Sequence, residues 1–519
     1  KGYRSRYDKK TEIAKAGYYS TELIDYNIKV ESTVAPHSGV LRFTFPENEQ
    51  SRIQIDLARR VGGTSTKQYV KILDEFTIQG WMKCNPDGGG WGNGAGKTDY
   101  TVYYYARFSK PIENYGIWSA DIPDDWSRKN DEVVSLPYLS KIAQSQILSD
   151  KKELEGKHLG FFTEFPTDDS EEVTLKVGIS FVDVEGAKKN FEAEVAEKDF
   201  DRIREEAQAS WDQALGCLKV SGGSEDQKTI FYTALYHTML QPNTFSDVNG
   251  EYMTADYTVG KLPGGETHYT TFSLWDTFRG AHPLYTLITP ERVPDFVKSM
   301  IRQYDSYGYL PIWQLWGQDN YCMIGNHSIP VIVDAVLKGV PDIDVEKAYE
   351  AVRNSSLTSH PNSPFHVWEK YGYMPENIQT QSVSITLEQA YDDWCTARLA
   401  KKLGKEEDHQ HFTHRSGFYR NLYNSDTHFF QPKNDKGEWI EPFDPYKYGA
   451  NGGYPFTEGN AWQYYWYVPQ DIPALIELTG GSKAFEQKLD TFFTSRHQSG
   501  ELNDNASGFV GQYAHGNEP

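Results

Sequence analysis

The 519-residue sequence is poor in cysteine and contains no long apolar run. Its four cysteines (Cys84, Cys217, Cys322 and Cys395) are widely separated and match no zinc-binding or CxxC pattern. They therefore predict buried small side chains or one disulfide pair. No segment approaches the roughly 18 consecutive apolar residues that a membrane-spanning helix requires. HExxH and GxSxG motifs are also absent, which excludes the commonest metallopeptidase and serine-hydrolase signatures.

Basic residues are fewer than acidic ones, 52 against 73, and the formal net charge is −21. Affinity for phosphates needs a basic surface, so this balance argues against a nucleic-acid-binding function. Aromatic residues make up 14% of the chain, more than a disordered chain would carry. Aromatic rings stack on sugar faces, so this composition favours a carbohydrate-binding protein. At roughly 100–200 residues per domain, the length predicts about two to four domains.

The first 197 residues read as short strands between turn signals, and they predict an antiparallel β-sandwich over residues 1–197. The clearest runs of β-branched and aromatic residues are 18–23, 28–30, 40–46, 53–57, 101–105 and 173–179. Residues 85–97 form a glycine-rich loop that presents one aromatic residue, Trp91. This loop lacks the GxxxxGK[ST] spacing of a phosphate-binding loop.

The pattern becomes helical near Lys198. Apolar residues recur there at spacings of three and four, which predicts a helical linker over residues 198–225. From residue 226 to 519, helical segments alternate with loops rich in Gly, Pro, Trp and Asn, and they predict an α/α toroid. The clearest helical segments are 294–304, 327–338, 345–355, 384–403, 407–422, 469–478 and 484–493.

Residues 270–279 form the first of three loops that predict a sugar-binding site. Asp276 adjoins Trp275 and lies three residues before Arg279, an arrangement that could hold sugar hydroxyls. The alternative interpretation is a helix N-cap at Asp276 with Arg279 as its partner.

Residues 456–464 form the second loop. Glu458 precedes a glycine among aromatic residues, a setting that desolvates a carboxyl group and raises its pKa, as a general acid requires. The alternative is a surface glutamate that opens a helix.

The third loop is the last five residues, 515–519. Asn517 and Glu518 place an amide and a carboxylate at a tight turn, where their oxygens could hold a hard cation. The alternative is a plain turn ended by Pro519.

Together with further motifs, these loops resemble glycoside hydrolase family 92, the inverting, calcium-dependent exo-α-mannosidases. The stretches that carry the resemblance are EIAKAGYY (12–19), VGISF (177–181), FSLWDT (272–277), GYLPIW (308–313), MIGNH (323–327), TLEQAYDDW (386–394), EGNAWQY (458–464) and GNEP (516–519). The resemblance implies an N-terminal β-sandwich, a helical linker and a C-terminal (α/α)6 barrel. It also implies hydrolysis of terminal α-mannosides of N-glycan or mannan type, by a secreted, periplasmic or cell-surface protein.

The resemblance assigns roles to individual positions. Glu458 matches the general acid, Asn517 and Glu518 match the calcium-binding turn, and Trp275 and Asp276 match the pocket for the terminal mannose. Further residues predicted to bind substrate are Trp91, Gln463, Gln512, Tyr513 and His515. Gln512-Tyr513 stands where α-1,2-specific members tend to carry His-Glu, which argues against α-1,2 specificity.

Members of this family usually begin upstream of the position of Lys1 and continue past that of Pro519. A truncated chain with an incomplete barrel is therefore expected, with its general base downstream of Pro519 and no hydrolysis by residues 1–519 alone. Should the base lie within these residues, Asp392, Asp393 and Glu388 are the candidates. Two other functions stay open: a catalytically inactive carbohydrate-binding relative and an (α/α)6 polysaccharide lyase.

Overall fold

The computed structural model describes residues 5–60, 63–86, 98–122, 140–141, 143–449, 455–497, 499 and 507–516. The chain divides into two compact units, Lys1–Thr271 with Leu315–Asn320, and Phe272–Gln314 with Tyr321–Pro519. The first unit is an antiparallel β-sandwich followed by helices, and the second unit is helical. This order confirms the predicted fold class. The first unit extends to Thr271, beyond the boundary predicted at residue 226, and the domain limits 1–197, 198–225 and 226–519 stay predictions.

Two sheets form the sandwich. The strands of this region are β1 (Ile13–Lys15), β2 (Tyr18–Leu23), β3 (Ile28–Val34), β4 (Ser38–Phe45), β5 (Asn48–Asp56), β6 (Arg59–Arg60), β7 (Gly63–Thr64), β8 (Lys67–Ile72), β9 (Thr77–Cys84), β10 (Tyr100–Phe108), β11 (Asn114–Ser119), β12 (Gln146–Leu148), β13 (Glu153–Gly156), β14 (Leu159–Thr167) and β15 (Glu171–Ser180). The larger sheet has nine strands in the order β1-β2-β3-β4-β15-β10-β9-β8-β13, and the smaller has four in the order β12-β11-β14-β5. Strands β6 and β7 form a separate pair.

The sandwich core follows from the alternation of side chains along each strand. Phe161 and Phe165 from β14 meet Val173 and Leu175 from β15, and all four are buried in one apolar cluster. Residues between them point the other way, so each sheet contributes one apolar face. Fully burying side chains of this size contributes about 1.5–3 kcal/mol each.

Three helices follow the sandwich: α1 (Val184–Glu194), α2 (Phe200–Leu215) and α3 (Glu225–Thr238). Helices α1 and α2 pack against the larger sheet, and α3 contacts α2. Phe191 of α1 and Phe200 of α2 pack in one cluster with Val40 of β4. Gly178 permits the close approach of α1, because a Cβ there would lie 2.4 Å from the carbonyl oxygen of Ala187. The helix predicted near Lys198 is therefore confirmed as α2.

The second unit is built mainly from helices. They are α4 (Leu274–Thr277), α5 (Ala281–Ile288), α6 (Val293–Tyr307), α7 (Ser328–Leu337), α8 (Val345–Ser355), α9 (Phe365–Tyr371), α10 (Ser382–Lys402), α11 (Glu406–Ser416), α12 (Ala461–Tyr464), α13 (Ile472–Thr479) and α14 (Ser482–Thr494). The helix α10 is buried along most of its length and packs against α7, α8 and α11. The single helix predicted over 407–422 is wrong: α11 ends at Ser416, Gly417 caps it, and Phe418–Leu422 continue as a 3-10 helix.

Short strand pairs complete both units. In the first unit Asn243–Thr244 pairs with Tyr269–Thr270, and Glu251–Met253 pairs with Val259–Lys261. In the second, Tyr423–Asn424 pairs with Phe429–Phe430, and Phe509–Val510 with Tyr513–Ala514. The four cysteines are free thiols, so the predicted disulfide alternative is wrong. Among the described helices, none combines the length and the apolar character that a bilayer crossing needs.

Candidate active site

A cavity of about 750 Å³ opens in the helical unit. Nine of its twenty described lining residues are aromatic, among them Trp275 of α4 and Tyr464 of α12. Glu458, Asp334 and Arg279 are the charged residues among the described lining. An aromatic cavity with a few convergent polar groups is the usual form of a small-ligand site, and rings of this kind can stack on a sugar.

Glu458 occupies a constrained turn in this wall. It is 6% exposed, and its φ of 45° places it in the left-handed region that non-glycine residues rarely adopt. The Tyr448 hydroxyl donates to the Glu458 carbonyl oxygen. On the preceding residue, the Thr457 amide donates to Ser384 Oγ at 2.9 Å. Backbone strain held from both sides is common at functional positions. The alternative of a surface glutamate at a helix start is wrong, because Glu458 is buried and Asn460 caps α12.

A capping box begins α12 immediately after this turn. Asn460 Oδ1 accepts from the Gln463 amide at 3.1 Å, and Gln463 Oε1 accepts from the Asn460 amide at 2.8 Å. The Gln463 side chain also donates to the Gln512 carbonyl at 3.0 Å. Gln463 thus lines the cavity while both ends of its amide hold the local fold.

The residues predicted to bind substrate or calcium fall into three groups. Trp275, Gln463 and Tyr513 line the cavity with Glu458. Asp276, Gln512 and His515 are not among the described lining residues. Trp91, Asn517 and Glu518 lie outside the described residues.

The residues of the second group have contacts elsewhere, and their roles in substrate binding stay predictions. Asp276 accepts from the Ser273 hydroxyl. Ser273, not Asp276, occupies the N-cap position of α4, so the N-cap alternative for Asp276 is wrong. Gln512 is 2% exposed, and its amide donates to the carbonyl oxygens of Ser495 at 3.1 Å and His497 at 2.7 Å. His515 is exposed, with its ring 5.6 Å from that of Tyr513.

A buried hydrogen-bond network adjoins the cavity, and its centre is Glu388 of α10. Glu388 Oε1 accepts from Trp275 Nε1 at 3.1 Å and from the Tyr464 hydroxyl at 3.2 Å. Glu388 Oε2 lies 2.9 Å from His327 Nε2, and His327 Nδ1 lies 2.9 Å from Asp392 Oδ1. Glu388 and Asp392 are four residues apart, so both lie on one face of α10. That spacing in TLEQAYDDW is the one sequence signal for this network, which motif reading did not identify as a unit.

Charge explains the state of His327. Burial favours its neutral form, but the carboxylates of Asp392 and Glu388 outweigh burial and raise the pKa of His327 to about 9. Phe278 stacks on the imidazole, with ring centroids 4.0 Å apart. At neutral pH the group is therefore an imidazolium that donates to two carboxylates.

Asp393 belongs to a separate buried ion pair. Arg415, fully buried, donates through Nε and Nη2 to the two carboxylate oxygens at 2.8 and 2.7 Å, and Trp368 Nε1 adds a third bond at 2.9 Å. Burial raises the pKa of Asp393 to about 6, and these partners offset part of the increase. Asp393, Asp392 and Glu388 are all buried in such contacts, and none is among the described residues that line the cavity.

No metal cluster accompanies these carboxylates in the part of the chain that the structure describes. Those described residues include no group of three or more His, Cys, Asp or Glu side chains that could hold an ion.

Comparison with known proteins assigns both units to one family. The model of the glycosyl hydrolase family 92 N-terminal domain matches residues 1–180. The model of the glycosyl hydrolase family 92 catalytic domain matches residues 186–519. Together the two matches cover nearly the whole chain.

Individual relatives agree with the family models. The chain is 34% identical to a family GH92 alpha-mannosidase from Bacteroides thetaiotaomicron that was solved in complex with mannoimidazole. The two structures match with a TM-score of 0.88, over 100% of this chain and 65% of the mannosidase. It is 28% identical to a family GH92 inverting mannosidase from the same organism, with a TM-score of 0.83, over 99% of this chain and 66% of that one. A curated relative, an uncharacterized secreted glycosidase of Arthroderma benhamiae, is 26% identical over 92% of this chain and 60% of its own. The chain therefore spans less than two thirds of the length of these relatives.

Proposed function

The chain belongs to glycoside hydrolase family 92, and we propose that it is an exo-α-mannosidase whose general acid is Glu458. The single observation that carries the proposal is the buried, strained Glu458 in a cavity that it shares with Trp275 and Tyr464. A similar protein binds mannoimidazole, a mannose-like compound. Family membership also removes the polysaccharide lyase as an alternative.

Hydrolysis with inversion is part of the proposal. An inverting glycosidase needs one protonated carboxyl to donate to the leaving oxygen and a carboxylate about 6.5–9.5 Å away to activate water. Glu458 supplies the first group. Glu388, Asp392 and Asp393 are poor candidates for the second, because each is buried and held by other side chains. The identity of the general base stays a prediction.

The substrate class proposed is a glycan with terminal α-mannosides, of N-glycan or mannan type. Stacking of a sugar on Trp275 would fit the aromatic residues of the wall, which also include Tyr513. Secretion is proposed from the relative in Arthroderma benhamiae, which is called a secreted glycosidase.

Calcium is proposed as the cofactor, held in part by Asn517 and Glu518. Amide and carboxylate oxygens suit this hard cation, and the donor set fits it better than zinc. When bound, calcium would supply a positive centre that holds sugar hydroxyls. Addition of CaCl2 to chelated protein should raise its melting temperature, and Glu518→Gln should weaken that response. Melting temperatures unaffected by calcium would contradict the proposal.

The decisive experiment is Glu458→Gln in the full gene product. Hydrolysis of a mannose disaccharide should fall by about 10²–10⁴-fold, the usual contribution of general acid catalysis. An aryl mannoside with a good leaving group should lose much less, because its departure needs little protonation. Glu477→Gln, an exposed change on α13, is the matched control and should leave both rates unchanged.

Equal losses on the two substrates would contradict the role of Glu458. Binding of mannoimidazole without any hydrolysis by the unmodified protein would instead favour the inactive carbohydrate-binding relative.

A further inference from the structure

We infer that Glu388 is a positioning residue, whose buried carboxylate sets the orientation of Trp275 and Tyr464 in the cavity wall. The inference rests on the proposed function only in taking the cavity as the mannoside site. Glu388 is not among the described residues that line the cavity, and the role inferred here differs from that of the general base considered above.

Two donors from different segments converge on one oxygen of Glu388. Trp275 Nε1, on α4, lies 3.1 Å from Oε1, and the Tyr464 hydroxyl, on α12, lies 3.2 Å from the same atom. Trp275 is 113 positions from Glu388 in the sequence, and Tyr464 is 76 positions away on the other side. An indole N–H can only donate, so the ring of Trp275 needs an acceptor at this point.

The acceptor is itself held from behind. His327 Nε2 donates to Glu388 Oε2 at 2.9 Å, and its Nδ1 donates to Asp392 Oδ1 at the same distance. The second oxygen of Asp392 accepts from the Asn326 amide at 2.7 Å. The chain of contacts therefore runs from the backbone of residue 326 to the cavity wall, and each link has a defined donor and acceptor.

Burial makes the loss of any acceptor in this network costly. Glu388 and His327 are 0% and 1% exposed, and Tyr464 is 8% exposed. Where little water is present, a hydrogen bond to a carboxylate is electrostatically stronger than in solvent, and a donor left without an acceptor is costly. Without Glu388 the indole and phenol would therefore turn toward other acceptors, and the cavity wall would change shape.

The same contacts separate this role from that of a general base. Both carboxylate oxygens of Glu388 are engaged, and the side chain is closed off from the cavity by the residues it holds. A base would need a free oxygen directed at water, whereas a positioning residue needs only an acceptor. The two roles therefore predict opposite outcomes for Glu388→Gln.

The experiment compares Glu388→Gln with Glu388→Met. The glutamine side chain keeps an acceptor for Trp275 and Tyr464, and its amide group can donate to a neutral His327. The methionine side chain has nearly the same length, but its thioether sulfur is only a weak acceptor. Glu376→Gln is the control, because Glu376 is another carboxylate of the helical unit that accepts a side-chain hydrogen bond, from Ser382 Oγ at 2.6 Å, and it is partly buried.

The first readout needs no activity. Protein labelled with 5-fluorotryptophan gives a fluorine resonance for Trp275, identified by its loss in Trp275→Phe. That resonance should keep its position in Glu388→Gln and in Glu376→Gln, and should move or broaden in Glu388→Met. Glu388→Ser, too short to reach the two donors, repeats the test if the methionine variant does not fold.

The second readout is calorimetric binding of mannoimidazole. Glu388→Met should weaken binding by about tenfold or more, the equivalent of one lost hydrogen bond to a charged group, while Glu388→Gln should stay within about threefold of the unmodified protein. A Trp275 resonance unchanged in both Glu388→Met and Glu388→Ser would overturn the inference. So would loss of hydrolysis in Glu388→Gln with binding retained, which would identify a base. If neither the unmodified protein nor any variant binds mannoimidazole, the proposed function fails. The fluorine spectra still decide the role of Glu388 in that case.

Discussion

Arg415→Met should destabilise the helical unit more than any surface change in it. Arg415 is fully buried and binds both carboxylate oxygens of Asp393, the carbonyl oxygen of Ser356 at 2.9 Å and Glu369 at 2.7 Å. Methionine fills similar space but leaves Asp393 as a buried carboxylate without a cation. Breaking a buried pair in this way costs about 3–5 kcal/mol of unfolding free energy.

The assay is thermal and urea unfolding of the full chain. For a unit of this size, about 2–4 °C of melting temperature corresponds to each kcal/mol, so a fall of roughly 6–20 °C is expected. The double variant Arg415→Met with Asp393→Leu should recover most of the loss, because it removes the orphaned charge. Arg398→Met, which changes an exposed arginine on α10, is the matched control.

The pH dependence of the stability loss in Arg415→Met provides a second test. The pKa of Asp393 is raised to about 6, above the ordinary value near 3.9, and loss of Arg415 raises it further. Because Asp393 then takes up a proton at pH 5, the deficit of Arg415→Met should be smaller at pH 5 than at pH 8. A deficit below about 1 kcal/mol at pH 8, or no recovery in the double variant, would refute the argument that an uncompensated charge is the cause.

Two further predictions concern stability. The pKa of His327 is raised to about 9, so its contribution to stability, about 3 kcal/mol, should be complete below pH 6.5 and disappear as pH rises through 9. Urea unfolding across this range should show the decline, and His327→Gln should flatten it; equal slopes for both proteins would contradict the ion-pair assignment. Phe161→Ala in the sandwich core should lower the free energy of unfolding by about 3–5 kcal/mol. Ile147→Ala, at a 60% exposed position of the same sheet, should change it by less than about 0.5 kcal/mol. Similar losses in the two variants would contradict the placement of Phe161 in the core.

Local patterns in the sequence determined the elements of the fold. Alternation of apolar residues over 173–179 indicates a strand, and the structure has β15 there, with Val173 and Leu175 of this pattern buried. Phe200 and Ile203 repeat at helical spacing, and both are buried in α2. Such patterns are readable because the period of a strand or helix is a property of neighbouring residues. The break at Gly417 was missed, since a glycine can end a helix or be tolerated within one.

The tertiary structure decided which loops meet and which of their side chains face the cavity. Motif reading placed Glu458 and Trp275 in one site, and the structure has both in one wall. It could not show that Gln512 holds the loop from behind, because burial depends on chain segments far away in sequence. The links from Trp275 and Tyr464 to Glu388 are likewise long-range, and an isolated carboxylate in a helix carries no mark of its partners. Residue type and spacing set what chemistry each loop can perform, whereas burial and hydrogen-bond partners, which exist only in the folded chain, decide which groups are left to perform it.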